Sequence, residues 1–195
     1  MLMELNLASQ LQRYLGLDER ELLASFNTLI PKCKSLVDIG ANDGYYTLAF
    51  LKSSAECVVA CEPGDALERL LHNVTANGYQ KDGRFIIERR LVGEGEEQGV
   101  SVTALVNDLP GPILLKVDID GGEFDLVRSA ENCKRLSEIY WIMETHSKEL
   151  EANCLTWFQA NGYQTKVIKN AWWRTFLPEQ RPLIHNRWLI AYQNL

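Results

Sequence analysis

No stretch of this 195-residue chain stays apolar for the roughly 20 residues that a membrane-spanning helix needs. The start, Met1-Leu2-Met3-Glu4-Leu5-Asn6, lacks the basic residues and small-residue cleavage site of a secretory signal, so a cytoplasmic protein is expected. Cysteine is sparse and unpaired. Cys33, Cys57, Cys61, Cys133 and Cys154 contain no C-x-x-C pair, and their number is odd. Cys57 and Cys61 fall on one expected strand, where a rise of ~3.3 Å per residue sets them too far apart to bridge. Reduced, mostly buried thiols are the expectation. Basic charge is short as well: 20 Lys and Arg stand against 26 Asp and Glu, for a net charge of -6. That excess removes the broad basic face that nucleic-acid binding needs, and neither nucleic acid nor membrane is an expected partner. Arg84, Arg89 and Arg90 form at most a local basic patch or a solvated strand end. Repeats, low-complexity tracts and linkers are absent. At 46% hydrophobic and 24% charged residues, the composition is that of one globular domain with a substantial core.

The most informative segment is Leu36-Val37-Asp38-Ile39-Gly40-Ala41-Asn42-Asp43-Gly44-Tyr45-Tyr46. A short apolar run carries an acid, two glycines follow, and a helical pattern begins. Strand, tight turn and helix start is the arrangement of a nucleotide-type cofactor site, with glycine admitting close approach and left-handed φ angles. The Gly-Lys-Ser/Thr of a P-loop is missing, and so is the third glycine of G-x-G-x-x-G. Asp38 and Asp43 would repel a pyrophosphate. They suit a ligand with a cationic amine and no phosphate, as in S-adenosylmethionine (SAM), which carries an ammonium, a sulfonium, a ribose diol and an adenine. The second strand, Val58-Val59-Ala60-Cys61, ends in Glu62-Pro63. In doubly wound folds an acid at that strand tip, about 20 residues past the turn, accepts hydrogen bonds from ribose hydroxyls. Glu62 stands 24 residues after Asp38.

The rest of the chain alternates strand and helix. Residues 4–30 read as a helical cap closed by Pro31, with apolar stripes at Leu5, Leu7, Leu11, Tyr14 and Leu15 and from Glu19 to Ile30. Expected strands are Ser35–Gly40, Cys57–Cys61, Phe85–Val92, Ile113–Ile119 and Glu138–Thr145, then a closing pair Tyr163–Ile168 and Trp188–Tyr192. Expected helices are Tyr45–Ser53, Asp65–Asn77, Ser101–Leu109, Glu123–Leu136 and Lys148–Asn161. This pattern predicts an α/β, doubly wound, mostly parallel seven-stranded sheet of Rossmann-like type, with an antiparallel last strand and an N-terminal helical cap. Residues 1–195 are read as a single domain: cap 1–31, cofactor core 35–146, and a C-terminal part 147–195 that completes the sheet and supplies a substrate-side loop.

Four blocks in order carry a family resemblance. Asp38-Ile39-Gly40-Ala41-Asn42-Asp43-Gly44-Tyr45-Tyr46 resembles the first motif of class I SAM-dependent methyltransferases, and its Ala-Asn filling resembles the FkbM family. Glu62-Pro63 followed by Asn73-Val74-Thr75-Ala76-Asn77 is similar to that family's second block. Lys116-Val117-Asp118-Ile119-Asp120-Gly121-Gly122-Glu123 is similar to its third, with Asp120 where the family has glutamate. Glu144-Thr145-His146 matches the fourth. The resemblance covers about residues 35–146, and Val102–Leu109 departs from the family's Thr-Leu-Asp-Asp. It implies that Asp38, Gly40, Asn42 and Gly44 frame the methionine part of SAM, Asp38 orienting the ammonium directly or through water. It further implies that Glu62, with Pro63, holds the ribose, that Leu91 and Val92 border the adenine, and that Asp118 lies beside the methyl group.

Methyl transfer is an in-line displacement at the sulfonium carbon, in which the protein mainly aligns the partners. A hydroxyl acceptor must also lose a proton. His146 is the candidate base with Asp118 beside it, against the reading that this histidine caps the next helix or bonds a loop carbonyl. Asp120, Glu123, Glu144 and Trp172 are the other acceptor-side candidates. Asp118, Glu144 and His146 leave room for a divalent metal. The opposing reading has Glu123 capping its helix and Asp120 shaping the Gly121-Gly122 turn. Trp172 and Trp173 offer either a stacking lid for a sugar or another ring, or cover for a sheet edge or a homodimer contact. The expected activity is SAM-dependent methylation of a small-molecule or glycan hydroxyl. A non-catalytic SAM- or nucleotide-binding module and an NAD-dependent enzyme are the alternatives.

Overall fold

The computed structural model describes residues 19–93, 99–169, 171, 172, 176, 185 and 187–193. The stripe from Leu5 to Leu15 therefore lies outside the described residues. The described part of the cap is a 3-10 turn, Arg20–Leu22, then α1 (Leu23–Leu29) and a second 3-10 turn, Ile30–Lys32.

The strands are β1 (Ser35–Ile39), β2 (Cys57–Cys61), β3 (Phe85–Glu88), β4 (Leu91–Val92), β5 (Gly99–Val100), β6 (Ile113–Val117), β7 (Ile139–Thr145), β8 (Gln164–Ile168) and β9 (Arg187–Tyr192). The helices are α2 (Tyr45–Leu51), α3 (Leu67–Ala76), α4 (Val102–Val106), α5 (Glu123–Arg128) and α6 (Lys148–Ala160). Seven strands form one sheet in the order β3-β2-β1-β6-β7-β9-β8. Its members from β3 to β7 pair in parallel, and β9 runs antiparallel to both neighbours. This is the architecture the sequence predicts.

Every residue of β1, β2 and β6 is buried, which is why these runs, apart from Ser35, Asp38 and Lys116, are apolar without alternation. One core packs α1, α2 and α3 against side chains such as Leu36, Val58, Leu114 and Ile142. The other packs α4, α5 and α6 against the opposite face, through Val37, Val59, Leu115 and Trp141. The sheet grows outward from β1 in both directions, so its topological switch point lies between β1 and β6. Ligands bind at that crevice, beyond the carboxyl ends of the strands.

Several elements are shorter than the sequence suggests, and two of them show the reason. The strand expected to run to Val92 stops at Glu88, whose carboxylate accepts the Arg90 backbone N–H at 2.8 Å and turns the chain. Leu91–Val92 then pairs with β5 in a separate two-stranded ladder. The helix expected over Glu123–Leu136 ends at Arg128. The Ser129 carbonyl accepts the Thr103 hydroxyl of α4 at 3.0 Å, and the Cys133 N–H bonds Ala130. All five cysteines are free and buried, and no described helix is long and apolar enough to cross a membrane.

Candidate functional site

The β1–α2 turn is built around Gly40 and Gly44. Gly40 has φ +76°, and a Cβ there would stand 2.0 Å from the Asp118 backbone oxygen. The two central strands thus meet so closely at their tips that no side chain fits between them. Gly44 has φ +88° and abuts Leu70 of α3. Asn42 also takes a positive φ, 49°. Its backbone N–H donates to Glu62 Oε2 at 2.8 Å, and Gly64 N–H donates to Glu62 Oε1 at 2.8 Å. Glu62 therefore ties the two halves of the turn region together, and each of its oxygens retains a lone pair for a further donor.

Asp38 is fully buried beneath this turn. Its Oδ2 accepts the Thr47 hydroxyl at 2.7 Å, and its Oδ1 lies 3.3 Å from Lys116 Nζ, its cross-strand partner in β6. Lys116 also lies 3.6 Å from Asp118 Oδ2, donates to the Gly40 carbonyl at 3.3 Å, and sits 5.0 Å from the centre of the Tyr46 ring. Burial opposes the ammonium, but Asp38, Asp118 and Glu19 outweigh it and hold Lys116 above the ordinary lysine range. Asp38 consequently faces Lys116 and Thr47 and is absent from the pocket wall, a different placement from direct contact with a ligand amine.

A third group gathers beyond the ends of β6 and β7. His146 Nδ1 is held by Glu123 Oε1 in a short hydrogen bond. Its Nε2 lies 3.8 Å from Asp118 Oδ1, 3.5 Å from Asp120 Oδ1 and 3.6 Å from Glu144 Oε2. Burial disfavours the imidazolium, yet Glu123 and Glu144 overcome it and push His146 up to about 10. One local role is excluded for His146 here. The cap of α6 is Ser147, whose hydroxyl accepts the Leu150 N–H, so His146 is not a helix cap. Glu123 begins α5, but its buried carboxylate serves His146. Asp120 has a 93% exposed side chain.

A pocket of about 360 Å³ opens beside these groups. Ile39, Gly40, Cys61, Pro63, Leu91 and Asp120 line it. Arg90 and Asp125 line it too; the sequence reading passed over both, Arg90 as part of a solvated strand end. Lys116 and Thr47 were also missed as site residues. A lysine interrupting an otherwise apolar buried strand was the available signal for the first; nothing local marked the second. Trp172 stands apart, 80% exposed and edge-on to Phe176 at 6.5 Å between ring centres. The neighbouring Ala171 N–H donates to Glu21 of the N-terminal segment at 3.1 Å. Trp173 lies outside the described residues.

No protein-family model matches the chain, and no curated protein matches it. Solved structures do. Methyltransferase FkbM from Methylobacillus flagellatus KT matches with a TM-score of 0.60 at 20% identity, over 83% of this chain and 44% of that one. This chain thus spans less than half the length of that protein. Ribosomal protein L11 methylase from Lactobacillus delbrueckii subsp. bulgaricus matches with a TM-score of 0.59 at 13% identity, over 90% of this chain and 78% of that one. Sp1610 of Streptococcus pneumoniae, solved with S-adenosyl-L-methionine, matches with a TM-score of 0.56 at 15% identity, over 91% of this chain and 73% of that one. At these identities the likeness is one of fold: the chain has the Rossmann-like architecture of class I methyltransferases.

Proposed function

We propose that this protein is a SAM-dependent methyltransferase acting on a hydroxyl of a small molecule or glycan, in the manner of the FkbM family. The observation that carries the reading is the Gly40 turn, pressed against Asp118 and clamped to Glu62 beside the pocket. The residues fit the cofactor. A Cβ at Gly40 would fill the space between the strand tips, the turn contains no phosphate-binding lysine, and acids predominate around it. Pro63, Leu91 and Arg90 wall the end of the pocket suited to the adenosine, and Glu62 offers its two remaining lone pairs to the ribose diol. Gly40, Asn42 and Gly44 shape the methionine end, with Asp38 supporting them from below through Lys116.

SAM supplies an electrophilic methyl group on a sulfonium. The protein orients the acceptor toward it. Asp118 and His146 stand on the acceptor side, with Glu144 and Asp120 beside them. In its acid surroundings His146 carries a proton at neutral pH, so in that state the carboxylates, not the imidazole, receive the hydrogen bond of an incoming hydroxyl. Trp172 offers a stacking surface at the periphery.

Calorimetry with SAM, S-adenosylhomocysteine and NAD tests the reading. Binding of both adenosyl ligands and none of NAD is expected. Silence toward both adenosyl ligands, at concentrations able to detect micromolar binding, overturns it. The catalytic assignment is tested by Asp118→Ala and His146→Ala: turnover of a confirmed acceptor at wild-type rate removes those two residues from the mechanism.

A further inference from the structure

Cofactor binding leaves the group around His146 unexplained. Asp118, Glu123, Glu144 and His146 do not line the 360 Å³ pocket. Glu123 and Glu144 are nevertheless buried, as is the imidazole, with a 5% exposed side chain. Carboxylates removed from water in this way need compensation.

The geometry points to a binding site for one divalent transition-metal ion, of the Mn²⁺ kind, held by Asp118, Glu144 and His146. One oxygen from each acid and one imidazole nitrogen all lie within 4.8 Å of one another. Nε2 is buried without a hydrogen-bond partner. Its distances of 3.5 Å to Asp120, 3.6 Å to Glu144 and 3.8 Å to Asp118 are too long for hydrogen bonds. They match ligands that share an ion, since donors about 2.1 Å from one centre stand on the order of 3–4 Å apart.

The surroundings are organised for this. Glu123 holds Nδ1, which fixes the ring and directs the Nε2 lone pair into the group, the carboxylate–histidine arrangement that accompanies metal-bound imidazole. Asp118 divides its oxygens, Oδ2 toward Lys116 and Oδ1 toward the group. Exposed Asp120 is placed to reach the ion from the solvent side. One imidazole among carboxylates, with no thiolate, favours Mn²⁺ over the all-oxygen preference of Ca²⁺ and the thiolate-rich structural sites of Zn²⁺. The ion takes the place of a proton on Nε2. A hydroxyl bound to it would ionise more readily; that consequence, unlike the site itself, rests on the functional reading above.

The test uses the full chain, stripped with EDTA and titrated with MnCl2 while free Mn²⁺ is followed by electron paramagnetic resonance. One Mn²⁺ per chain is expected. Spin-echo modulation from a single imidazole nitrogen is expected in the wild type and absent in His146→Gln. Glu144→Gln should weaken binding at least tenfold, and Glu123→Gln roughly 10–100-fold through the ring it orients. No saturable binding, or bound Mn²⁺ without the nitrogen signal, overturns the site; the wild-type spin-echo decides even if the variants do not fold. SAM calorimetry on the same stripped protein separates the two ideas. Heat with SAM but no Mn²⁺ binding removes the metal and leaves the methyltransferase, whereas Mn²⁺ binding without SAM binding does the reverse.

Discussion

Gly40 and Lys116 are where single side chains matter most. Alanine at position 40 must adopt a left-handed φ and place a methyl group 2.0 Å from the Asp118 carbonyl oxygen. The conformational cost of roughly 1–2 kcal/mol and a similar overpacking cost together predict a loss of about 3 kcal/mol. Urea unfolding of Gly40→Ala measures it, and SAM affinity should fall at least tenfold. A variant as stable as wild type would mean that the strand tips separate freely. Lys116 is the only cation within 4 Å of Asp38 among the described residues. Lys116→Met leaves that buried carboxylate uncompensated and should cost about 3–5 kcal/mol. Adding Asp38→Asn removes the orphaned charge and should restore part of the loss; a double variant no better than the single one would argue against the pairing.

Between elements, Arg84 performs the corresponding task at the start of β3. Its guanidinium donates to the carbonyls of Leu51, Ser53 and Ala55 at 2.9–3.1 Å, joining the end of α2 to the approach to β2, while Asp82 braces it. The hydrogen bonds from Arg84 hold the Asp82 carboxyl below its usual value. A depressed carboxyl stabilises the fold above the unfolded value, about 3.9, and the contribution is lost as pH falls through the lower folded value. Stability should therefore decline from about pH 4 downward, and Asp82→Asn should flatten that decline. Urea unfolding at pH 6, 4 and 2.5 on both proteins checks it; parallel curves would exclude Asp82 from the acid response. The same scale shows why element ends escaped the sequence. Glu88 turning back on Arg90, and Ser129 giving its carbonyl to Thr103, are decided by one hydrogen bond each. Neither leaves a trace in hydrophobic periodicity.

For the molecule as a whole, a ligand that binds only the folded state stabilises it by mass action. SAM at about 100 times its dissociation constant should add about 2.7 kcal/mol and raise the melting temperature by several degrees. NAD should not. Differential scanning fluorimetry reads this directly, and an unchanged melting temperature with saturating SAM counts against the cofactor assignment.

The layout of this chain was determined by its sequence alone. Strands buried on both faces must be mostly apolar, as β1, β2 and β6 are apart from Ser35, Asp38 and Lys116, and amphipathic helices must separate parallel neighbours. The Gly40 turn and Glu62 were legible for the same local reason: tight backbone geometry demands particular residue types at short spacing. What the carboxylates do was left to the tertiary structure. Asp38 and Asp118 both follow apolar residues near a strand end, yet one lies beneath the turn between Lys116 and Thr47, and the other spans Lys116 and the histidine group. Glu123 reads either as an acceptor-side acid or as a helix cap, and only the folded chain shows it bonded to His146 across 23 residues. Such roles depend on which strand tips become neighbours at the switch point. Long-range packing decides that, and the charge of a side chain in one dimension does not reveal which partner it will meet in three.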